Sequence, residues 1–223
     1  MKKIHYYHIY INEINLTSLI VLQHFNTICN WTLIEELEEI RIGIVGKPEL
    51  RKLVKEMLYQ SMVKDKIKII IERGSGDEYV TLEKMREASM TEDNVLYFYG
   101  HTKGSFRPTL SNMAWVRTML FYNVVQRRAI FEKLENTKID CAGAFWLTQS
   151  AHPQIRIDDP NGTPFFGGNF WWAKSSYVRT LPQVAKQTRY QSERWIGLND
   201  PTIYSTTPPE WHPEMNHAHF IIF

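Results

Sequence analysis

The sequence predicts an α/β fold organised around an open, mostly parallel sheet, and three observations predict it. Short β-rich runs alternate with helix-period patterns through residues 1–110, the pattern of successive βα units. The last of those runs, Asn94-Val95-Leu96-Tyr97-Phe98-Tyr99, is continuously apolar from Val95 on, as a strand covered on both faces must be, and leads straight into a polar, glycine-containing loop. From His152 onward the chain turns to Pro, Gly, Asn and aromatic residues, the composition of irregular segments carried on a rigid scaffold.

Taken in order, the first strand is expected at Ile4 to Ile11, followed by a helix starting near the cap residues Thr17 or Ser18. Arg41 to Gly46 gives the second strand. The helix after Lys47-Pro48 is the clearest in the chain, because Leu50, Leu53, Val54, Met57 and Leu58 recur at helical spacing and make one apolar face. Lys66 to Glu72 gives the third strand, Gly74-Ser75-Gly76-Asp77 a turn, Val80 to Ala88 a short amphipathic helix, and Asn94 to Tyr99 the fourth strand. Four such units imply a Rossmann-like sheet of the size that binds nucleotides. Ser111 to Glu135 has no Gly or Pro and is dense in helix formers, and Lys138 to Leu147 reads as a further strand.

Charge and cysteine content narrow the class. The 26 basic and 24 acidic side chains leave a net charge of +2, short of the positive field of an obligate DNA coat. No run of apolar residues is long enough to span a membrane, and Met1-Lys2-Lys3-Ile4-His5-Tyr6-Tyr7-His8 lacks the apolar core of a signal peptide, so a cytoplasmic protein is expected. Cys29 and Cys141 are too few for a disulfide framework and lack zinc-site spacing, which makes both buried thiols.

Two phosphate motifs nearly form and fail. Gly46-Lys47 lacks the upstream glycine spacing of a Walker loop, with Pro48 in place of the metal-holding hydroxyl, and Gly74-Ser75-Gly76 lacks a third glycine. Both read as turns. The loop Tyr99-Gly100-His101-Thr102-Lys103-Gly104 is better placed, at the carboxyl edge of the expected sheet, where open α/β folds bind ligands. Lys103 offers an ammonium, Thr102 a hydroxyl, and Gly100 and Gly104 exposed N–H groups suited to an anion; a plain strand-to-helix turn is the alternative.

Pro164-Phe165-Phe166-Gly167-Gly168-Asn169-Phe170-Trp171-Trp172-Ala173-Lys174 is the most unusual composition in the chain. Aromatic faces stack on sugar C–H surfaces and an Asn amide both donates to and accepts from hydroxyls, whereas the structural alternative is a buried aromatic strand with a Gly-Gly bulge. Arg189-Tyr190-Gln191-Ser192-Glu193-Arg194-Trp195 sets a carboxylate among aromatic residues, where its pKa could rise into the range of a general base, the alternative being a surface Glu paired with Arg194 or Arg189. His217-Ala218-His219 on extended chain would place two imidazoles on one face, an incomplete metal or phosphate signal.

Together, Val95 to Gly104, the helix containing Trp115, the Gly168-Asn169-Phe170-Trp171-Trp172-Ala173 block and Arg189-Tyr190 to Glu193-Trp195-Ile196-Gly197 resemble a family of small GT-A-type glycosyltransferases found in bacterial, viral and algal polysaccharide gene sets. The resemblance runs from about His5 to Gly197. It implies a GT-A-like α/β fold in one domain, 1–223, with a nucleotide-sugar-binding half at 1–110 and an acceptor and catalytic half at 111–223. It also implies a nucleotide-sugar donor, a UDP-sugar first, and transfer by inverting displacement to a hydroxyl acceptor, either a glycan or a hydroxymethylated base in viral (bacteriophage) DNA. Lys174, Arg179, Lys186, Arg189 and Arg194 are the basic residues a DNA acceptor would use. A non-catalytic carbohydrate-binding or assembly protein is the rival reading.

In such enzymes an Asp-x-Asp after the fourth strand holds a divalent cation; here the triplet is His101-Thr102-Lys103, which points to metal-independent binding of the diphosphate by Lys103, helped by His101. If a metal is used, Asp158, Asp159, His217 and His219 are its candidate ligands. Glu193 is the expected base, with His8, Tyr10, Asn12, Thr102 and Gly104 on the donor side and Gly168, Asn169, Trp171, Trp172 and Arg189 around sugar and acceptor.

Overall fold

The computed structural model describes residues 1–106, 108–151, 162–184 and 189–211. In chain order the strands are β1 (Lys2–Tyr10), β2 (Glu39–Val45), β3 (Ile67–Arg73), β4 (Val95–His101), β5 (Cys141–Gly143), β6 (Trp146–Leu147), β7 (Phe165–Phe166), β8 (Trp171–Lys174) and β9 (Ile203–Ser205). The helices are α1 (Ile14–Asn30), α2 (Leu33–Glu36), α3 (Pro48–Gln60), α4 (Tyr79–Ser89), α5 (Leu110–Leu120), α6 (Arg127–Asn136), α7 (Ser175–Val178) and α8 (Arg189–Arg194), with a π-helical turn at Phe121–Val125 between α5 and α6.

Seven strands form one sheet in the order β3-β2-β1-β4-β8-β5-β9. The first four are mutually parallel, β8 runs antiparallel between β4 and β5, and β9 is parallel to β5. The α/β class and the mostly parallel, Rossmann-type sheet are as the sequence predicts. β6 and β7 pair separately in a small antiparallel ribbon.

Both faces of the sheet are covered. On one side Tyr7, Ile9, Phe98 and Trp172 pack under α1, α3, α5 and α6 through Phe25, Val54, Met119 and Phe131; on the other Tyr6, Tyr97, Tyr99 and Trp171 pack under α4, α7 and the Trp195–Gly197 turn. This double cover is why β4 is apolar at successive positions and not at alternate ones. Gly43 lets α4 approach closely: a Cβ there would lie 2.0 Å from Thr81 Oγ1.

Three expectations shift in detail. α1 begins at Ile14, ahead of the Thr17 or Ser18 start, because the Glu13 carboxylate caps it by accepting from the N–H groups of Asn15 and Leu16. Ser111–Glu135 forms two helices joined by the π-turn. Lys138–Leu147 is divided between β5 and β6, since Phe145 at φ 59° turns Trp146 and Leu147 away from the main sheet to pair with β7. Among the described residues no helix is long and apolar enough to cross a membrane.

Candidate functional site

The carboxyl ends of the parallel strands converge on a buried carboxylate that the sequence does not single out. Glu78 follows β3 at the start of α4, and Oε2 of its buried carboxyl accepts from the Tyr99 hydroxyl at 3.0 Å and from Asn169 Nδ2 at 2.6 Å. Asn169 is itself fully buried, and its Oδ1 accepts from the Trp171 indole at 2.6 Å, which fixes the amide with its NH2 toward Glu78. Glu78 Oε1 lies 3.5 Å from His101 Nδ1, and His101 Nε2 lies 3.1 Å from the Gly168 carbonyl. A carbonyl only accepts, so Nε2 carries a hydrogen and Nδ1 is left to share a proton with Glu78.

Burial, then the nearby negative charge of Glu193, push the Glu78 pKa up from 4.5 to about 8, against the lowering effects of Asn169, Tyr99 and Lys103. Two carboxyls in one buried site cannot both ionise cheaply, so Glu78 holds the proton at neutral pH. Glu193, from α8, is buried as well, and neighbouring Ser192 reaches Asp77 with its hydroxyl at 3.3 Å, tying α8 to the loop that carries Glu78.

The local chain explains the placement. Gly168 at φ 93° and Asn169 at φ 59° make the turn between β7 and β8, conformations open to Gly and tolerated by Asn. A Cβ at Gly168 would lie 2.3 Å from Met119 Sδ, so the backbone packs directly on α5. Asn123, in the π-turn, donates to the Phe170 carbonyl at 3.4 Å while its own carbonyl accepts from the Trp172 indole at 3.0 Å.

The structure thus brings His101, Gly168, Asn169 and Trp171 together at Glu78, with Glu193 and Lys103 near enough for their charges to act on it. Lys103 Nζ sits 4.0 Å from the centre of the Trp115 ring. Other expected residues take different places. Both tryptophans of the aromatic block are fully buried: Trp171 orients Asn169, and Trp172 lies on the opposite face, stacked on Phe98 at 4.9 Å. The expected sugar platform is therefore a structural support, since neither ring has a free face. The Thr102 hydroxyl bonds both the N–H and the carbonyl of Tyr10, closing the ends of β1 and β4 together. His8 is buried, its Nδ1 bonded to Thr81 Oγ1 at 2.8 Å and its pKa lowered to about 3 by burial, so its ring is part of the sheet–α4 packing. Asn12 remains exposed at the strand edge, donating to the Ser105 carbonyl at 3.4 Å. Gly104, at φ 90°, makes the turn after Lys103. Asp158, Asp159, His217, His219, Lys186 and the Arg189 side chain lie outside the described residues. Among the described residues no group of three or more His, Cys, Asp or Glu could hold a metal ion, and in the Asp-x-Asp position His101-Thr102-Lys103 supplies no carboxylate.

A family model described as a domain of unknown function (DUF8361) matches residues 6–204. No curated protein matches the chain in sequence. Among solved structures, the 4-diphosphocytidyl-2C-methyl-D-erythritol synthase of Anaerococcus prevotii DSM 20548 aligns at TM-score 0.42 and 12% identity, over 91% of this chain and 88% of that one. A second structure of a 4-diphosphocytidyl-2C-methyl-D-erythritol synthase aligns at TM-score 0.42 and 12% identity, over 94% and 91%.

Proposed function

The chain belongs to the DUF8361 family, and we propose that it is a glycosyltransferase that moves a sugar from a nucleotide-sugar donor, a UDP-sugar first, to a hydroxyl acceptor. The observation that carries this reading is the Glu78–Glu193 pair at the carboxyl edge of the parallel sheet, with Lys103 and His101 beside it. In this reading Glu78 keeps its proton, Glu193 serves as the base, and the Lys103 ammonium would offset charge on a departing diphosphate.

In the proposed reaction Glu193 removes the proton from the acceptor hydroxyl, whose oxygen forms a bond to the anomeric carbon as the bond from that carbon to the diphosphate oxygen breaks. Lys103 offsets the charge that develops on the leaving nucleoside diphosphate, while His101 keeps its place between the Gly168 carbonyl and Glu78. Asn169 holds Glu78 in place.

A thermal-shift panel of UDP, GDP, CMP and their sugar conjugates, each with and without manganese, tests the reading, because a ligand that binds only the native state stabilises it by mass action. A selective shift with one nucleotide class supports it. No shift with any nucleotide, together with binding of free glycans, would replace it with a carbohydrate-binding protein.

A further inference from the structure

A cleft of about 290 Å³ opens between the carboxyl half of α1 and the end of α5, and none of its lining residues belongs to the Glu78 centre. Gln23, Thr27 and Asn30 line it from one face of α1, Arg117 and Phe121 face them, and Trp31 stands at its end with 47% of its surface exposed. An exposed tryptophan beside amide, hydroxyl and guanidinium groups matches the two needs of a sugar: an apolar face for ring C–H groups and fixed hydrogen-bonding partners for hydroxyls. Of the described residues that line this cleft, Arg117 alone is charged, which suits a neutral or weakly anionic chain better than nucleic acid.

Two further observations connect the cleft to the site. Gln23 also lines a second depression between the same helices, which contains Lys103 and Gly104, so the two depressions are neighbours along α1 on either side of one side chain. Together their lining residues run along α1 from Leu16 to Trp31, roughly 22 Å at the helical rise per residue. The wall of the cleft is the π-turn, with Phe121 and Val125 facing it, and Asn123 in the same turn holds Phe170 and Trp172 in the segment that presents Asn169 to Glu78. Single π-turns inside helices are frequent at functional sites.

We propose that the α1–α5 cleft is an acceptor subsite for a linear oligosaccharide, with Trp31 as the stacking platform for sugar units remote from the point of transfer. The inference rests on the glycosyltransferase reading and names its acceptor as a glycan chain.

The test is equilibrium binding, followed by tryptophan fluorescence and calorimetry, of three linear hexasaccharides: α-1,4-glucose, β-1,4-glucose and β-1,4-N-acetylglucosamine. The corresponding monosaccharides and a single-stranded DNA 12-mer complete the panel. Saturable binding of at least one hexasaccharide, weakened about tenfold by Trp31→Ala and restored by Trp31→Tyr, is expected. Binding of no hexasaccharide, affinity unchanged in Trp31→Ala, or Trp31-dependent binding of the DNA alone overturns the proposal. The Glu193→Gln variant separates the two claims. Hexasaccharide binding that persists while Glu193→Gln still turns over donor would leave the subsite standing and remove the proposed base; loss of turnover without any glycan binding would do the reverse.

Discussion

Asn169 donates its side-chain amide to the Glu78 carboxyl at 2.6 Å across 91 residues of chain, and the Trp171 indole on its other side leaves that amide one orientation. The contact joins the turn before β8 to the start of α4. It makes Glu78 both a structural acceptor and the titrating centre of the site.

Removing the acceptor should therefore be expensive where preserving it is not. Glu78→Ala leaves the Asn169 amide and the Tyr99 hydroxyl buried without their partner, and is expected to destabilise by about 1–3 kcal/mol in urea denaturation. Glu78→Gln can keep its carbonyl toward Asn169 and Tyr99 and offer its NH2 to His101 Nδ1, so it should unfold at nearly the wild-type urea midpoint. Equal losses in both variants would show that the hydrogen bonds do not matter.

The same residue sets a pH dependence of stability. With the folded pKa near 8 and the unfolded value near 4.5, the native state binds more protons than the unfolded chain between them, so Glu78 costs stability as pH rises through that window. Relative to Glu78→Gln, wild type should lose stability from pH 6.5 to 8, by up to about 1.4 kcal/mol per pH unit, the difference removing the rising contribution that the buried histidines make to both proteins. Urea titrations of both proteins at pH 6.5, 7.25 and 8 give the comparison.

Acid should act through three buried imidazoles. His5 and His8 are lowered to about 3 and His24 falls well below 6.5, in each case mainly by burial. The Phe98 carbonyl accepts from His5 Nδ1 at 3.0 Å, so His5 Nε2 is the acceptor of the 2.8 Å contact with His24 Nε2, an arrangement that needs both rings neutral. Below pH 6.5 the unfolded chain takes up protons that the native state refuses, and stability falls as pH drops toward 3, each His contributing up to about 1.4 kcal/mol per pH unit. Denaturation at pH 7 and 5 should differ by several kcal/mol; identical midpoints would contradict the buried neutral state.

Gly168→Ala tests the backbone support of the site. The added methyl meets Met119 Sδ at 2.3 Å and Trp115 Nε1 at 3.0 Å at a φ that L residues rarely adopt. A loss of about 1–3 kcal/mol is expected. A variant with wild-type stability would show that the turn relaxes freely.

Much of this architecture is legible in the sequence because it is local. The apolar stripe of α3, the run of β4 and the alternation of the first four strands each follow from periodicity within one element. Glu78 is not legible, because nothing in Gly76-Asp77-Glu78 separates a buried centre from a solvated turn; only the return of β8 beside β4 delivers Asn169 to it. Trp171 and Trp172 show the same limit. As adjacent residues of one strand they face opposite sides of the sheet, and both sides are core. The π-turn at Phe121–Val125 is not legible either, since its Phe, Tyr, Asn and Val residues are weak helix formers but include no Gly or Pro to mark a break.

Lys103 should matter to donor affinity more than to folding. Lys103→Ala removes the cation beside Trp115 and is expected to weaken UDP binding about tenfold or more, the scale of one charge-assisted hydrogen bond, as read by calorimetry. Unchanged affinity would remove Lys103 from the diphosphate site.

The most direct test of the account is nucleoside diphosphate release from the donor identified by thermal shift, measured with saturating acceptor for wild type and Glu193→Gln. The account predicts kcat lower by about 10²–10⁴-fold in Glu193→Gln with donor affinity retained, the range lost when a positioned base is removed. Wild-type turnover in that variant would contradict it.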